Sequence, residues 1–221
     1  MIFKTSGVVF RLTKYGETSI IVSIFTSQFG LQSYIVNGVR SKSGKGKIAL
    51  YQPLTLLDLV VYHKETGGIM RIKEVKCLYP YQHLSTDVRK TTIALFIEEL
   101  VNKSIKEESH ASELCEFLID SLITLDKMEK PENFHLTFMV FLSRRLGFQP
   151  QTPGEVLGGR VMDYDDENGL QQLLNADYTS NITLSNLQRR NILEALLRFY
   201  SMHIENFGQL KSLSVLREIL N

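Results

Sequence analysis

Through residues 1–79 the apolar positions fall in short runs separated by glycine-bearing polar breaks. Five runs rich in Val, Ile, Leu, Phe and Tyr predict strands over Thr5–Leu12, Thr18–Thr26, Leu31–Val39, Leu54–His63 and Gly68–Leu78. The breaks hold Gly16, Gly30, the polar run Arg40–Lys47, and Gly67 with Gly68. Glycine there provides the positive φ that tight turns need. Five short strands in so few residues suit a closed barrel, because closure leaves no unpaired sheet edge. In the fifth run Met70 and Ile72 alternate with Arg71 and Lys73, which predicts one apolar and one basic face. The alternation slips near Glu74, the place to expect a β-bulge.

After Pro80 the period changes from two to 3.6. Ser85 is placed to cap a helix carrying Val88, Leu95, Phe96, Leu100 and Val101. Leu114, Phe117, Leu118, Leu122 and Leu125 mark a second helix. Pro131 opens a third over Glu132–Leu146, closed by Gly147 and apolar nearly all round, as a buried central helix would be. Ser185 and Gln188 form a capping box ahead of Leu187–His203, and a short helix over Ser212–Leu220 follows. Between these, Gln149–Ile182 is rich in Gly, Asp and Asn and reads as irregular. The fold class expected is therefore α+β in two domains: residues 1–79 a β-barrel, residues 80–221 mostly α-helical.

Charge sharpens that division. The chain nets +1, but residues 1–79 carry 11 Lys and Arg against 4 Asp and Glu, while the remainder carries 14 against 20. A front part at +7 joined to a back part at −6 points to a polyanion bound by the front. Arg40, Lys42, Lys45 and Lys47 place four cations in one glycine-containing loop, suited to a phosphate backbone. That loop is not a P-loop: five residues separate Gly38 from Gly44, and Gly46 stands where the Mg²⁺-binding hydroxyl belongs. Tyr15, in a turn with Arg11 and Lys14 nearby, is an aromatic on which a base can stack. With Arg71 and Lys73 these form the expected nucleic-acid surface.

Nothing in the sequence suggests an active site, a cofactor or a metal. Cys77 and Cys115 stand alone, as reduced thiols of a cytosolic protein would. The five histidines are scattered singly, and no nucleophile motif occurs. An EF-hand counted from Asp163 would need Gly and Glu at positions held by Asn168 and Leu174, so Asp163–Gly169 reads as a solvated β-turn. No signal peptide is expected, and no uncharged apolar run approaches the roughly 18 residues of a membrane span.

With these features laid out, the chain resembles the RecO family of bacterial recombination mediators in DNA repair. The resemblance rests on Tyr15-Gly16-Glu17-Thr18-Ser19, Phe25-Thr26, Gly30, Gly38-Val39-Arg40, Pro53-Leu54 and Glu74-Val75, with Leu210-Lys211-Ser212 resembling the closing segment. It implies an OB-fold barrel joined to a helical domain. It also implies binding of single- and double-stranded DNA, annealing of complementary strands, and partnership with RecR and the single-stranded-DNA-binding protein in loading RecA. By the same resemblance the helical part would take the acidic, apolar tail of the single-stranded-DNA-binding protein, with Arg144 and Arg145 placed for its carboxylates. Phe134, Phe138 and Phe141 lie in that segment, and core packing is the expectation for each. Many members carry a four-cysteine zinc module after the segment matching Leu146-Gly147-Phe148; here no cysteine follows Cys115, so zinc is not expected. Two other readings stand beside this one: an OB-fold RNA-binding protein, and a hydrolase using the carboxylates of Asp163–Glu167.

Overall fold

A computed structural model describes residues 1–41, 46–64, 67–105 and 111–220. Five strands, β1 (Ile2–Tyr15), β2 (Ser19–Thr26), β3 (Gly30–Val36), β4 (Leu56–Tyr62) and β5 (Met70–Cys77), close into a barrel in the order β1-β2-β3-β5-β4. All pairings are antiparallel except β3 with β5, which is the arrangement of an OB fold. Inward Val9, Ile20, Val22, Ile24, Tyr34, Leu57, Leu59 and Val61 fill the lumen. Such alternating branched and aromatic side chains are why these runs form strands.

The expected bulge is present. Val60 pairs with Glu74 and Val61 with Ile72, so Lys73 is the unmatched residue and the inward set shifts from Met70 and Ile72 to Val75. A second bulge lies in β1, where Val9 pairs with Ile24 but Arg11 with Ser23, leaving Phe10 unmatched. β1 runs well beyond the expected Thr5–Leu12 at both ends, and β4 starts at Leu56 because Leu54 takes a positive φ of 65°.

Among the described residues seven helices follow: α1 (Val88–Ser104), α2 (Ala111–Lys127), α3 (Phe134–Arg145), α4 (Pro153–Leu157), α5 (Tyr164–Asn175), α6 (Asn186–His203) and α7 (Leu213–Ile219). The chain forms two compact units, Met1–Gln82 with Lys106–Ile123, and His83–Ile105 with Thr124–Asn221. In the first, Val8, Phe25 and Leu56 form one outward row of the barrel yet are fully buried. Phe10 stacks on Phe25 at 5.5 Å, and the Cys115 thiol of α2 donates to the Phe25 carbonyl at 3.5 Å, so α2 covers that row.

In the second unit α3 is the buried centre, with Phe134, Leu136, Phe138, Met139, Val140 and Leu142 enclosed and the Tyr200 hydroxyl of α6 donating to the Met139 carbonyl at 2.6 Å. The Ser185–Gln188 capping box forms as expected. The first helix is capped differently: Asp87, not Ser85, accepts from the backbone N–H groups of Arg89 and Lys90. The stretch 149–182 is not irregular, since it contains α4 and α5. Asp163–Gly169 is not a β-turn either: Asp163 is the N-cap of α5, and Asp165, Asp166 and Glu167 lie in its first turn, where the helix dipole favours negative charge.

Candidate nucleic-acid interface

The bulge at Phe10 decides where Arg11 points. Val9 faces the lumen and Leu12 packs against the core; with one extra residue between them, both Phe10 and Arg11 lie outside. Phe10 is covered, but Arg11 is exposed opposite Ser23. Beyond it β1 and β2 meet in a turn through Gly16, at φ 55°. Lys14 lies opposite Ile20 at the barrel mouth, and Tyr15 lies opposite Ser19 with half its surface in solvent (51%).

The basic loop starts at this same turn. The Arg40 backbone N–H donates to the Thr18 carbonyl at 2.9 Å, and its guanidinium to the Gly16 carbonyl at 3.1 Å. Arg40 thus joins Lys14 and Tyr15 at one corner, its charge intact but its reach restricted. Lys42 and Lys45 lie outside the described residues. Lys47 is exposed at the start of a 3-10 turn (Lys47–Tyr51) whose Tyr51 is buried in the barrel core.

Between this corner and β5 the outer face of β2 and β3 carries no charge. It presents Ser19, Ile21 and Ser23 beside Ser33 and Ile35. Arg11 borders it on the β1 side, and Arg71, opposite Ile35, on the β5 side. An uncharged face with cations along its borders accommodates bases in its middle and phosphates at its edges. Lys73 follows Arg71 by two residues on β5, at the bulge. There it sits 3.8 Å from Glu74, an exposed and therefore weak ion pair.

Tyr62 was missed by the sequence reading. It stands directly across β5 from Arg71 and is 43% exposed. The signal was available: Leu57, Leu59 and Val61 alternate inward, so Asp58, Val60 and Tyr62 must face out.

In the helical unit, Arg144 and Arg145 end α3. Arg144 donates to the Leu174 carbonyl in the last turn of α5 and lies 5.0 Å from the Phe141 ring centre. Burial, and then the neighbouring Arg145 charge, lower its pKa. Arg145 is exposed. Phe134 and Phe138 are core residues, and Tyr178 stacks on Phe134 at 4.6 Å and meets the half-buried Phe141 edge-on. Of the acidic run, Asp166 is buried and accepts from Asn191 at 2.6 Å. Among the described residues no group of three or more His, Cys, Asp or Glu is placed to hold a metal, and no helix is long and apolar enough to cross a membrane.

Residues 1–81 match the family model described as recombination protein O N terminal, and residues 85–165 the one described as recombination protein O C terminal. The chain is 34% identical to DNA repair protein RecO of Flavobacterium psychrophilum, with all of both chains covered. It is 34% identical to that of Christiangramia forsetii over 99% of each, and 33% identical to that of Flavobacterium johnsoniae over all of each. These likenesses do not favour the RNA-binding alternative.

Proposed function

The chain belongs to the RecO family of DNA repair proteins, and from that premise we propose that it binds single- and double-stranded DNA, anneals complementary strands, and works as a non-catalytic mediator with RecR and the single-stranded-DNA-binding protein to load RecA. The site of action is the bacterial cytoplasm, on nucleoid DNA. The observation that carries this reading is the barrel surface itself: a corner where Arg40 is fastened beside Lys14 and Tyr15, leading onto an uncharged face bordered by Arg11 and Arg71. Lys47 extends the cationic border, Lys42 and Lys45 belong to the same loop in sequence and are proposed as further phosphate contacts, and Lys73 adds a weaker contact. These groups neutralise phosphates on two strands at once while the uncharged face holds bases unstacked, which is what annealing requires.

For the acidic tail of the single-stranded-DNA-binding protein, Arg145 is the exposed cation at the end of α3, and Arg144 supports it from its place against α5. No zinc module is part of this proposal, because the chain lacks the cysteines that would hold one.

The deciding experiment is a titration of the protein with single-stranded, duplex and matched RNA oligonucleotides across a salt series, followed by annealing of complementary strands. The expected result is binding to both DNA forms with a steep salt dependence, and faster annealing. Preference for RNA over DNA of the same sequence would overturn the reading.

A further inference from the structure

The barrel pairings place Ile2, Tyr62, Arg71, Ile35, Ile21 and Thr13 in one outward row that crosses β1, β4, β5, β3, β2 and β1 again. Strands lie about 4.8 Å apart, so Tyr62 is roughly 14 Å from Ile21 along this row. Arg71 sits between Tyr62 on one side and Ile35 on the other. It is exposed, and among the described residues neither its side chain nor that of Tyr62 has a hydrogen bond, ion pair or ring contact. On the same strand Glu74 is opposite Val60 and lies 3.8 Å from Lys73. An aromatic ring with 43% of its surface in water, beside an uncommitted guanidinium and next to an uncharged face, has the chemistry of a base-stacking platform with a phosphate contact at its edge.

We propose that Tyr62 stacks on a base of single-stranded DNA while Arg71 holds the adjoining phosphate, so that the bound strand crosses β3 and β5 and ends on β4 and is not confined to the corner at Tyr15. This rests on the DNA-binding reading above and adds to it the strand's path and a second stacking residue. Duplex bases are already stacked on each other, so the contact is specific to single strands.

The chain has no tryptophan, so Tyr62→Trp introduces a lone reporter at the site. Its emission should be quenched by a thymine homopolymer at concentrations where anisotropy of labelled DNA shows binding, and not by a duplex of equal length. Tyr62→Leu should weaken single-strand binding by about five- to a hundredfold with the salt slope unchanged, while Tyr62→Phe binds as the parent does. Arg71→Ala should make the slope of log K against log salt shallower by about 0.7. Emission that stays unquenched while the oligonucleotide is bound overturns the proposal, and does so even if Tyr62→Leu folds poorly. Equal losses for single strands and duplex in Tyr62→Leu also overturn it. A parent protein that binds no single strand would instead bring down the DNA-binding reading, and this inference with it.

Discussion

The Arg40 guanidinium is bonded to the Gly16 carbonyl, so the first cation of the basic loop is part of the β1–β2 turn. The four cations of that loop are therefore not equivalent. Lys47 is exposed, and Lys42 and Lys45 are joined to it in sequence, whereas Arg40 has a structural task as well as a charge. Replacing Lys42, Lys45 and Lys47 by Ala should flatten the salt slope on single-stranded DNA by up to about 2.1, at about 0.7 per phosphate contact. Stability should stay within about 0.5 kcal/mol. Adding Arg40→Ala should remove up to a further 0.7 or so and also lower the melting temperature, since the turn loses its tether. An unchanged slope in the triple variant would take the loop off the binding surface.

The barrel was legible because its glycine-bearing breaks are strong punctuation and its strands alternate. The bulge at Phe10 was not, because Val8, Val9 and Phe10 are all apolar and hide the slip in phase. Helix α5 was hidden by Gly169, which reads as a breaker inside a polar stretch. The glycine is there for space: a Cβ at 169 would come within 2.8 Å of Leu184 Cδ2 and 3.3 Å of Ile192 Cδ1. The cations of the site were legible as residue types, but their grouping depends on the Arg40–Thr18 backbone bond and on the strand register that sets Tyr62 opposite Arg71.

The stretch 149–182 is held by packing and hydrogen bonds. Leu170, Leu173 and Leu174 are buried, Tyr178 stacks on Phe134, Asn133 donates to the Ile182 carbonyl at 2.7 Å, and Asp166 accepts from Asn191. Treatment with a chelator should leave both the melting temperature and strand annealing unchanged. Stoichiometric zinc in chelator-washed protein would contradict this.

Gly7 has no room for a side chain. A Cβ there would lie 2.7 Å from Ile24 Cγ2 and 3.1 Å from the Phe25 carbonyl oxygen, a packed core methyl and a backbone atom. Gly7→Ala should therefore cost about 1–3 kcal/mol, outweighing the smaller gain from stiffening the unfolded chain. Thermal melting would show it as a clear drop, and a variant as stable as the parent would mean the sheet yields more easily than its packing suggests.

Glu99 of α1 fastens the segment that leads into α7. Its carboxylate accepts from the backbone N–H groups of Lys211 and Ser212 and from the Ser212 hydroxyl, at 2.7–2.8 Å, while Lys103 donates to the carbonyls of Phe207 and Gln209. Burial pushes the Glu99 carboxyl upward, but the Ser212 and Lys211 hydrogen bonds and the Lys103 charge outweigh it, so its pKa lies below the ordinary value. Glu99→Ala should destabilise by about 1.5–3 kcal/mol, as loss of a charged acceptor does. Hydrogen exchange should speed up first at the amides of Lys211 and Ser212. Unchanged protection at those two amides would show that the carboxylate does not hold them.

His135 makes the helical unit sensitive to acid. It is fully enclosed in α3, and burial, reinforced by the nearby Arg189 charge, pushes its pKa down to about 3. A histidine in the unfolded chain takes up its proton near pH 6.5. The folded state therefore excludes a proton that the unfolded state binds, so the stabilisation is complete above pH 6.5 and is lost as pH falls toward 3. Over that window His135 alone should remove up to about 1.4 kcal/mol per pH unit. Denaturant melts at pH 7, 6, 5 and 4 would measure the slope for the parent and for His135→Gln, which fills similar space with a side chain that does not titrate. The variant should be less stable at pH 7, because a buried amide without matched partners is costly, but its stability should fall less steeply with acid. Parallel slopes in the two proteins would mean that His135 is protonated equally in both states, and that the acid response comes from other groups.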